Sequence, residues 1–220
     1  FVPCYRMPLL VRRNRYVVVV HDIISSHFPD HFKGLRAKWL NYATKRACKI
    51  ADKVVTISNF VKEDLKSVFH IDGNNMQTIY NPILPYKGVE EFTAIETDLG
   101  LKRDKYFYTV SSLAFNKNLK TLVRLMAALK NDPRFEEYKL VVSGVGLNNS
   151  FFAGAQKELF DFINAQGIAD RILFTGFVSN ERRNSLIINS SFFLFASIFE
   201  GFGMPIIEAM EFGSRVITTK

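Results

Sequence analysis

Glu200 and Glu208 bracket the segment of this chain that is best suited to hold a charged ligand. The segment follows a strand-like apolar run, contains two glycines, and enters a predicted helix with Pro205 in its first turn. Glycines let a backbone approach a ligand closely, and the exposed N–H groups at the start of a helix favour phosphate. Two carboxylates around such a turn suit a ligand with phosphate in the middle and hydroxyl groups at both ends, as in a nucleotide-sugar. An ordinary strand–turn–helix junction with two surface glutamates has the same sequence pattern.

Strands and helices are predicted to alternate along the chain, which indicates an α/β fold with parallel sheets covered by helices. The predicted strands are residues 16–20, 54–57, 76–80, 106–110, 139–143, 171–175, 192–195 and 215–218. The predicted helices are residues 34–50, 58–69, 118–130, 151–166, 180–190 and 204–212, with Ser58 as an N-cap. Ligands bind at the carboxyl ends of strands in such sheets. The loops expected to bind are therefore those after Val110, Ser143, Thr175 and Phe195.

In this setting the segment from Glu200 to Glu208 resembles the paired-glutamate motif of retaining GT-B glycosyltransferases of family 4. Other segments resemble further landmarks of that family, in the same order and over nearly the whole chain. They are residues 17–23 (VVVVHDI), 51–58 (ADKVVTIS), 79–82 (IYNP), 111–118 (SSLAFNKN) and 173–178 (LFTGFV). The resemblance implies a GT-B fold, in which two Rossmann-like, doubly wound parallel-sheet domains face a cleft, both of them incomplete in this chain.

The domain boundaries follow from this resemblance and from the composition of the chain. Residues 1–81 would form the acceptor-side domain, and residues 106–220 the domain that binds the nucleotide-sugar donor. Residues 82–105 contain prolines, glycines and clustered charges, and they are predicted to be the linker.

The resemblance also implies roles for individual residues. Glu200 would hold hydroxyls of the donor sugar, and Lys117 would offset the charge of the departing diphosphate. His21 would face the donor sugar from across the cleft, and Glu208 would bind the ribose hydroxyls. The other donor-binding residues that it implies are Ser112, Gly144, Phe177, Val178, Phe202, Gly203, Met204 and Pro205.

The loop that contains Lys117 departs from the family's pattern. Many relatives carry an arginine five positions before the lysine, where this chain has Ser112, and some have a second basic residue where it has Asn116. One phosphate-binding cation is therefore missing from the loop. Either Arg182 or Arg183 could replace it, or both could cap a surface helix instead. The glycine-rich loop that opens the family's N-terminal domain also has no counterpart in this sequence. We therefore expect either that the chain is a fragment or that its continuous numbering passes over missing segments.

The implied reaction is the transfer of a hexose from a nucleoside diphosphate sugar to a hydroxyl of a glycan or lipid-linked acceptor, with retention at the anomeric carbon. The alternative is a non-catalytic nucleotide-sugar-binding or scaffold subunit with the same fold. No metal cofactor is expected, because the family generally works without one. The histidines His27, His31 and His70 also lack the spacing of metal ligands.

The net charge of +8 lies entirely in the first third of the chain. Residues 1–70 contain 13 Lys and Arg against 5 Asp and Glu, whereas residues 71–220 contain 16 of each kind. Such a block attracts a polyanion. The sequence contains no recognition-helix or zinc-finger pattern, so we expect no nucleic acid as partner and favour the anionic face of a membrane. A solvated basic surface is the alternative.

Helix 34–50 is expected to carry this membrane contact. Its apolar residues are predicted to face the core, and they are Leu35, Trp39, Tyr42, Ala43, Ala47 and Ile50. Lys38, Lys45 and Lys49 would then face outward. The sequence has no apolar run of bilayer-spanning length and no leader pattern. Two cysteines outside any metal-ligand spacing, Cys4 and Cys48, favour a reducing compartment and hence a cytoplasmic protein, peripheral on the inner face of the membrane.

Overall fold

The computed structural model of the protein describes residues 1–3, 15–83, 88–146 and 153–219. It forms two compact α/β units, each built on its own parallel sheet. The first unit consists of residues 1–82 and 199–203, and the second of residues 83–198 and 204–220. The chain therefore changes unit twice near the paired glutamates, so that Glu200 belongs to the first unit and Glu208 to the second.

The first unit is a three-stranded parallel sheet with helices. Its strands are β1 (Val17–Val20), β2 (Lys53–Thr56) and β3 (Met76–Thr78), in the order β1-β2-β3. Its helices are α1 (Ile24–His27), α2 (Arg36–Ile50) and α3 (Asn59–Phe69), with a 3₁₀ turn at Pro29–His31. The β-branched run of β1 buries Val18 and Val20 completely, as expected for a strand covered on both faces. The predicted N-cap of α3 is confirmed, because the Ser58 side chain accepts a hydrogen bond from the Val61 N–H.

The predicted packing face of α2 is wrong at its large residues, although Ala47 is buried as predicted. The helix buries Ala37, Leu40, Thr44, Ala47 and Cys48, whereas Leu35, Trp39 and Tyr42 are exposed. The buried residues recur at intervals of three and four, so they form a helical stripe of their own on the opposite side of the helix. Except for Leu40 these residues are small, and the large apolar side chains are left outside.

The second unit is a five-stranded, fully parallel sheet. Its strands are β4 (Tyr106–Val110), β5 (Lys139–Ser143), β6 (Ile172–Gly176), β7 (Phe192–Phe195) and β8 (Val216–Thr218), in the order β6-β5-β4-β7-β8. Its helices are α4 (Phe92–Leu99), α5 (Leu119–Ala128), α6 (Ala153–Gln166), α7 (Asn180–Ile188) and α8 (Met204–Glu211). Residues 151 and 152, predicted to begin the helix of α6, lie outside the described residues. The order of strands reverses at β4, so the topological switch point lies where β4 meets β5 on one side and β7 on the other.

A hydrophobic core lies on each of the two faces of this sheet. Alternate residues of each central strand contribute to opposite cores, as Phe107 and Tyr108 do on β4. Helices α5 and α6 cover the Phe107 face, and α4, α7 and α8 cover the Tyr108 face. This two-sided burial explains why these strands are almost wholly apolar.

Residues 88–105, which composition assigned to a linker, are part of the second unit. They contain α4, whose Phe92 and Ile95 are buried in the core on the Tyr108 face. The ring of Phe92 stacks on that of Tyr106 with a centroid separation of 6.3 Å. Gly100, taken from composition as a linker residue, is the left-handed C-cap of α4. A glycine that ends a helix therefore has the same sequence signature as one in a flexible connection.

Candidate functional site

The loop that carries Glu200 is fixed to the first unit through its neighbour, Gly201. The Ser58 hydroxyl donates a hydrogen bond to the Gly201 carbonyl oxygen at 2.6 Å, while the same oxygen atom of Ser58 caps α3 by accepting from the Val61 N–H at 3.1 Å. A Cβ placed on Gly201 would lie 1.9 Å from the carbonyl oxygen of His21. Only glycine allows this approach of two backbones. Two residues of the predicted site, His21 and Glu200, are thereby brought to the same place, next to the carboxyl end of β1.

Aromatic rings hold the residues on both sides of Glu200. The ring of Phe199 lies 4.9 Å from that of His27 and 5.6 Å from that of Phe60, measured between centroids. His27 is in turn held by Asp64, whose Oδ1 lies 2.8 Å from the histidine Nε2. On the other side, Phe202 packs against Tyr80 at 5.9 Å. The sequence analysis missed His27 and Asp64 as positioning residues, because nothing in their spacing indicates that they meet.

The side chain of His21 itself is exposed, and its Nε2 lies 3.1 Å from the carbonyl oxygen of Pro3. The adjacent Asp22 has a separate task, since it accepts a hydrogen bond from the Ile24 N–H at the start of α1. His21 therefore lies directly after β1 as an exposed residue, and its imidazole contacts the Pro3 carbonyl oxygen.

In the second unit, the loop with Lys117 lies at the topological switch point. The Ile198 N–H donates to the Asn116 carbonyl oxygen at 2.8 Å, and the Asn118 side-chain amide donates to the Ala196 carbonyl oxygen at 3.2 Å. These bonds tie the loop after β4 to the loop after β7. The Nζ atom of Lys117 lies 5.8 Å from the centroid of the Phe195 ring, so its charge is held near the carboxyl end of β7. A bound anion is expected at this position in a doubly wound sheet.

Gly144 lies where the loops after β4, β5 and β6 come into contact. Its φ is +87°, and a Cβ at this position would lie 2.7 Å from the Ser111 carbonyl oxygen. Its N–H donates to the Gly176 carbonyl oxygen at 2.8 Å. The glycine is thus required by the contact between the loops after β4, β5 and β6. Its predicted approach to a nucleotide stays a prediction. Ser112, in the same group of loops, is half-buried, and its hydroxyl lies 3.4 Å from the Ala114 N–H.

Glu208 lies beside a half-buried arginine. The Nη1 atom of Arg183 is 3.5 Å from Oε2 of Glu208, and the two side chains are 23% and 26% exposed. The Nε atom of Arg183 is buried and has no hydrogen-bond partner in the part of the chain that the structure describes. A buried, unsatisfied donor on a cation is costly to the folded state.

The neighbouring Arg182 has a different role. Its guanidinium donates to both oxygens of Glu90 at 3.0 and 2.9 Å, and to Asp98 at 2.7 Å. Hydrogen bonds to Glu90 and then Asp98 raise the pKa of Arg182, and the bond from Arg182 lowers the pKa of Glu90. Arg182 therefore joins α7 to the segment that contains α4, and of the two arginines only Arg183 is placed beside a predicted donor-binding residue.

The remaining predicted residues flank these groups. Met204 and Pro205 begin α8, Gly203 precedes them with a φ of +84°, and Phe177 and Val178 follow β6, the first exposed and the second half-buried. The first unit therefore holds His21, Glu200, Phe202 and Gly203, and the second holds Ser112, Lys117, Gly144, Phe177, Val178, Met204, Pro205 and Glu208. Among the described residues, no group of three or more His, Cys, Asp and Glu side chains converges as a metal site.

Comparison with known proteins places this arrangement in a family. The model of the family described as glycosyl transferases group 1 matches residues 91–220, and that of glycosyltransferase family 4 matches residues 2–85. An O-antigen chain mannosyltransferase of Salmonella typhimurium is 24% identical over 215 residues, which are 98% of this chain and 54% of the relative.

A second relative is a Campylobacter jejuni N-acetylgalactosamine-N,N'-diacetylbacillosaminyl-diphospho-undecaprenol 4-alpha-N-acetylgalactosaminyltransferase. It is 31% identical over 173 residues, which are 77% of this chain and 41% of the relative. The chain thus spans about half the length of the curated relatives it matches.

Solved structures share the fold. Anabaena HepE in complex with UDP-glucose has a TM-score of 0.77 at 21% identity, over 94% of this chain and 54% of that one. WaaG, a glycosyltransferase involved in lipopolysaccharide biosynthesis, has a TM-score of 0.68 at 15% identity, over 93% of this chain and 59% of that one. These similarities confirm the predicted GT-B fold class. Because the group 1 family model covers more than half of the sequence, from residue 91 to residue 220, this chain belongs to the glycosyl transferases group 1 family.

Proposed function

We propose that the protein transfers a hexose from a nucleoside diphosphate sugar to a hydroxyl of a glycan or lipid-linked acceptor, with retention at the anomeric carbon. The observation that carries the proposal is the anchoring of the Glu200 loop, through Gly201, against Ser58 and His21. A loop fixed this firmly beside a histidine suits the positioning of sugar hydroxyls, because small displacements of reacting groups are costly to the rate.

The proposed donor site lies in the second unit. Lys117 would neutralise the diphosphate as its charge grows, and Glu208 would accept hydrogen bonds from the ribose hydroxyls. Arg183 would supply the cation that the loop lacks at Ser112, since its partly exposed guanidinium lies beside Glu208. HepE, which shares the fold, was solved with UDP-glucose, and this supports a UDP-sugar as the first donor to test.

The proposed chemistry needs no metal and no protein nucleophile. The bond from the anomeric carbon to the diphosphate breaks, and a new bond to the acceptor oxygen forms on the same face. The acceptor hydroxyl gives its proton to an oxygen of the departing diphosphate. The protein's contribution is to hold the two substrates in place and to stabilise the charge that develops on the leaving group. The names of the Salmonella and Campylobacter relatives support a glycan or a lipid-linked acceptor.

The proposal is tested by titrating the purified protein with UDP-, GDP- and ADP-sugars and following transfer by the anomeric signals in NMR. We expect one donor class to bind and to be turned over with retention. Glu200→Gln and Lys117→Ala should each lower the rate a hundredfold or more, about 2.7 kcal/mol. Lys120→Ala is the matched control, because Lys120 lies nearby in the sequence but pairs with Glu158 on the surface.

The outcomes separate the enzyme from its alternative. Donor binding without turnover, unaffected by Glu200→Gln, would identify a non-catalytic nucleotide-sugar-binding subunit. Absence of binding to every donor would reject both functions. Inversion at the anomeric carbon would retain the enzyme but overturn the proposed mechanism.

A further inference from the structure

The outer face of α2 carries large apolar side chains that nothing in the described structure covers. Leu35 is 74%, Trp39 50% and Tyr42 62% exposed. Their spacing of four and three residues places them side by side along one face of the helix. The packing of α2 does not need them, because its other side already contacts the core through Ala37, Leu40 and their neighbours.

The same face is strongly basic. Lys38 and Lys49 are exposed and Lys45 is half-buried, and all three lie at helical spacing from the apolar residues. Over its full length, Arg36–Ile50, the helix contains five Lys and Arg and no Asp or Glu. A helix whose charged side chains are all positive repels basic surfaces and attracts anionic ones.

The surface of an anionic lipid membrane can accommodate both the apolar and the basic side chains of this face. Trp and Tyr are favoured at the boundary between lipid headgroups and acyl chains, since each has an apolar ring and a polar edge. Lysine can reach lipid phosphates with its charge while its carbon stem lies along apolar surface. A face with exposed aromatics among cations and without acids is typical of helices that lie in the plane of an anionic membrane.

We infer that the outer face of α2, defined by Leu35, Lys38, Trp39, Tyr42, Lys45 and Lys49, is a surface that binds an anionic lipid bilayer. The apolar side chains enter the headgroup boundary and the lysines contact lipid phosphates. The apolar residues lie on one side of α2, so the helix would lie along the bilayer surface. No described helix is long and apolar enough to cross a membrane. The inference does not depend on the proposed transfer reaction, since it is read out by lipid binding alone.

Trp39 makes the surface directly observable, because it is the only tryptophan among the 220 residues. With vesicles of phosphatidylcholine and phosphatidylglycerol, its emission should shift to shorter wavelength and be quenched by brominated acyl chains. Vesicles of phosphatidylcholine alone should leave it almost unchanged. Trp39→Phe gives the blank that assigns the signal to this residue.

Vesicle sedimentation separates the contributions of charge and of apolar insertion. Lys38→Gln with Lys49→Gln should lower the partition coefficient about twenty-fivefold, at about fivefold per lysine. Trp39→Ser with Tyr42→Ser should remove the binding that persists at high salt, where screening weakens the contacts of the lysines. The control pair, Lys102→Gln with Leu125→Ser, lies at exposed positions of the second unit. It should leave the partition coefficient unchanged. Thermal melting of each variant verifies that the fold is kept.

Three results would overturn the inference. The first is equal binding to neutral and anionic vesicles. The second is a Trp39 emission that is already at short wavelength and insensitive to lipid, which would show that another part of the protein covers this face. The third is a lipid-independent dimer that Trp39→Ser dissociates, which would make the face an interface between copies of the chain.

Discussion

The position where a Cβ on Gly201 would stand lies 1.9 Å from the carbonyl oxygen of His21. These two residues are far apart in the sequence and meet backbone to backbone, at the end of β1. The hydroxyl of Ser58 also holds Gly201, because it donates a hydrogen bond to the Gly201 carbonyl oxygen at 2.6 Å. Glu200 is therefore held in place through the backbone of its neighbour, Gly201.

Gly201→Ala should displace the Glu200 loop. The added methyl group meets backbone, which cannot move away as a flexible side chain would, so we expect a loss of about 1 to 3 kcal/mol in the free energy of unfolding. Expressed as free energies, the loss in transfer rate should exceed the loss in stability, because Glu200 moves with the loop. Urea unfolding and initial rates measure the two effects.

The control for this substitution is Gly154→Ala. Gly154 lies in α6, and a Cβ there meets nothing within 4 Å. It should leave activity unchanged and raise stability by about 0.5 to 1 kcal/mol, as alanine favours helix more than glycine does. If Gly201→Ala keeps normal activity and stability, the close approach of Gly201 to His21 is wrong.

Ser58→Ala and Ser179→Ala separate helix capping from loop anchoring. Both serines are N-caps, of α3 and α7, and accept hydrogen bonds from the N–H groups of Val61 and Arg182. Each substitution should lower stability by about 0.5 to 2 kcal/mol through the lost cap. Only Ser58→Ala also leaves the Gly201 carbonyl without its donor, which costs about 1 to 3 kcal/mol more. We expect only Ser58→Ala to slow transfer, and an equal effect of both on the rate would contradict the anchoring role.

Arg182→Ala and Arg183→Ala should affect different properties. Loss of Arg182 breaks its contacts with Glu90 and Asp98, so stability should fall by about 1 to 2 kcal/mol while donor affinity is kept. Loss of Arg183 should weaken binding of the nucleoside diphosphate about tenfold or more, because a charged hydrogen bond to phosphate is removed.

Calorimetric titration with the diphosphate and with the free nucleoside tests the assignment of Arg183. A phosphate contact predicts weaker binding of the diphosphate only. If the nucleoside is weakened equally, Arg183 acts by orienting Glu208 and does not contact phosphate.

Stability should fall at alkaline pH because buried acids, among them Cys48 and Tyr106, resist ionisation. Burial raises the pKa of the Cys48 thiol to about 12, and burial also raises the pKa of the Tyr106 hydroxyl. In the unfolded chain these groups ionise near 8.5 and 10. The unfolded state therefore loses protons first as the pH rises. The contribution of these two groups to the free energy of unfolding should be constant below about pH 8.5 and decrease above it, by up to about 1.4 kcal/mol per pH unit for each group.

Urea unfolding between pH 7 and pH 11 measures this dependence, and Cys48→Ala should reduce the slope between pH 9 and pH 11. In a Cys4→Ser background, a thiol reagent at pH 8 should label Cys48 only when the protein unfolds. Rapid labelling of the native protein would show that the thiol is accessible and its pKa ordinary.

Much of the secondary structure follows from local sequence. Strands β4, β5 and β7 have the predicted bounds, because continuous runs such as Tyr106–Val110 have the composition of strands buried on both faces. The start of α3 follows from Ser58, since an N-cap acts over three residues. The family was also predicted correctly, because the segment from Glu200 to Glu208 is itself a local pattern.

The face that α2 buries and the partners of the site residues depend on the tertiary structure. The sequence of α2 contains two apolar stripes, and only the sheet beneath it selects the small residues near Ala47 over Trp39 and Tyr42. Helical periodicity describes both stripes equally well. Similarly, Ser58 has a single hydroxyl that caps its own helix and binds Gly201, 143 positions further along the chain. Local patterns specify which groups can form hydrogen bonds, but only the folded chain brings a distant donor and acceptor within 3 Å of each other.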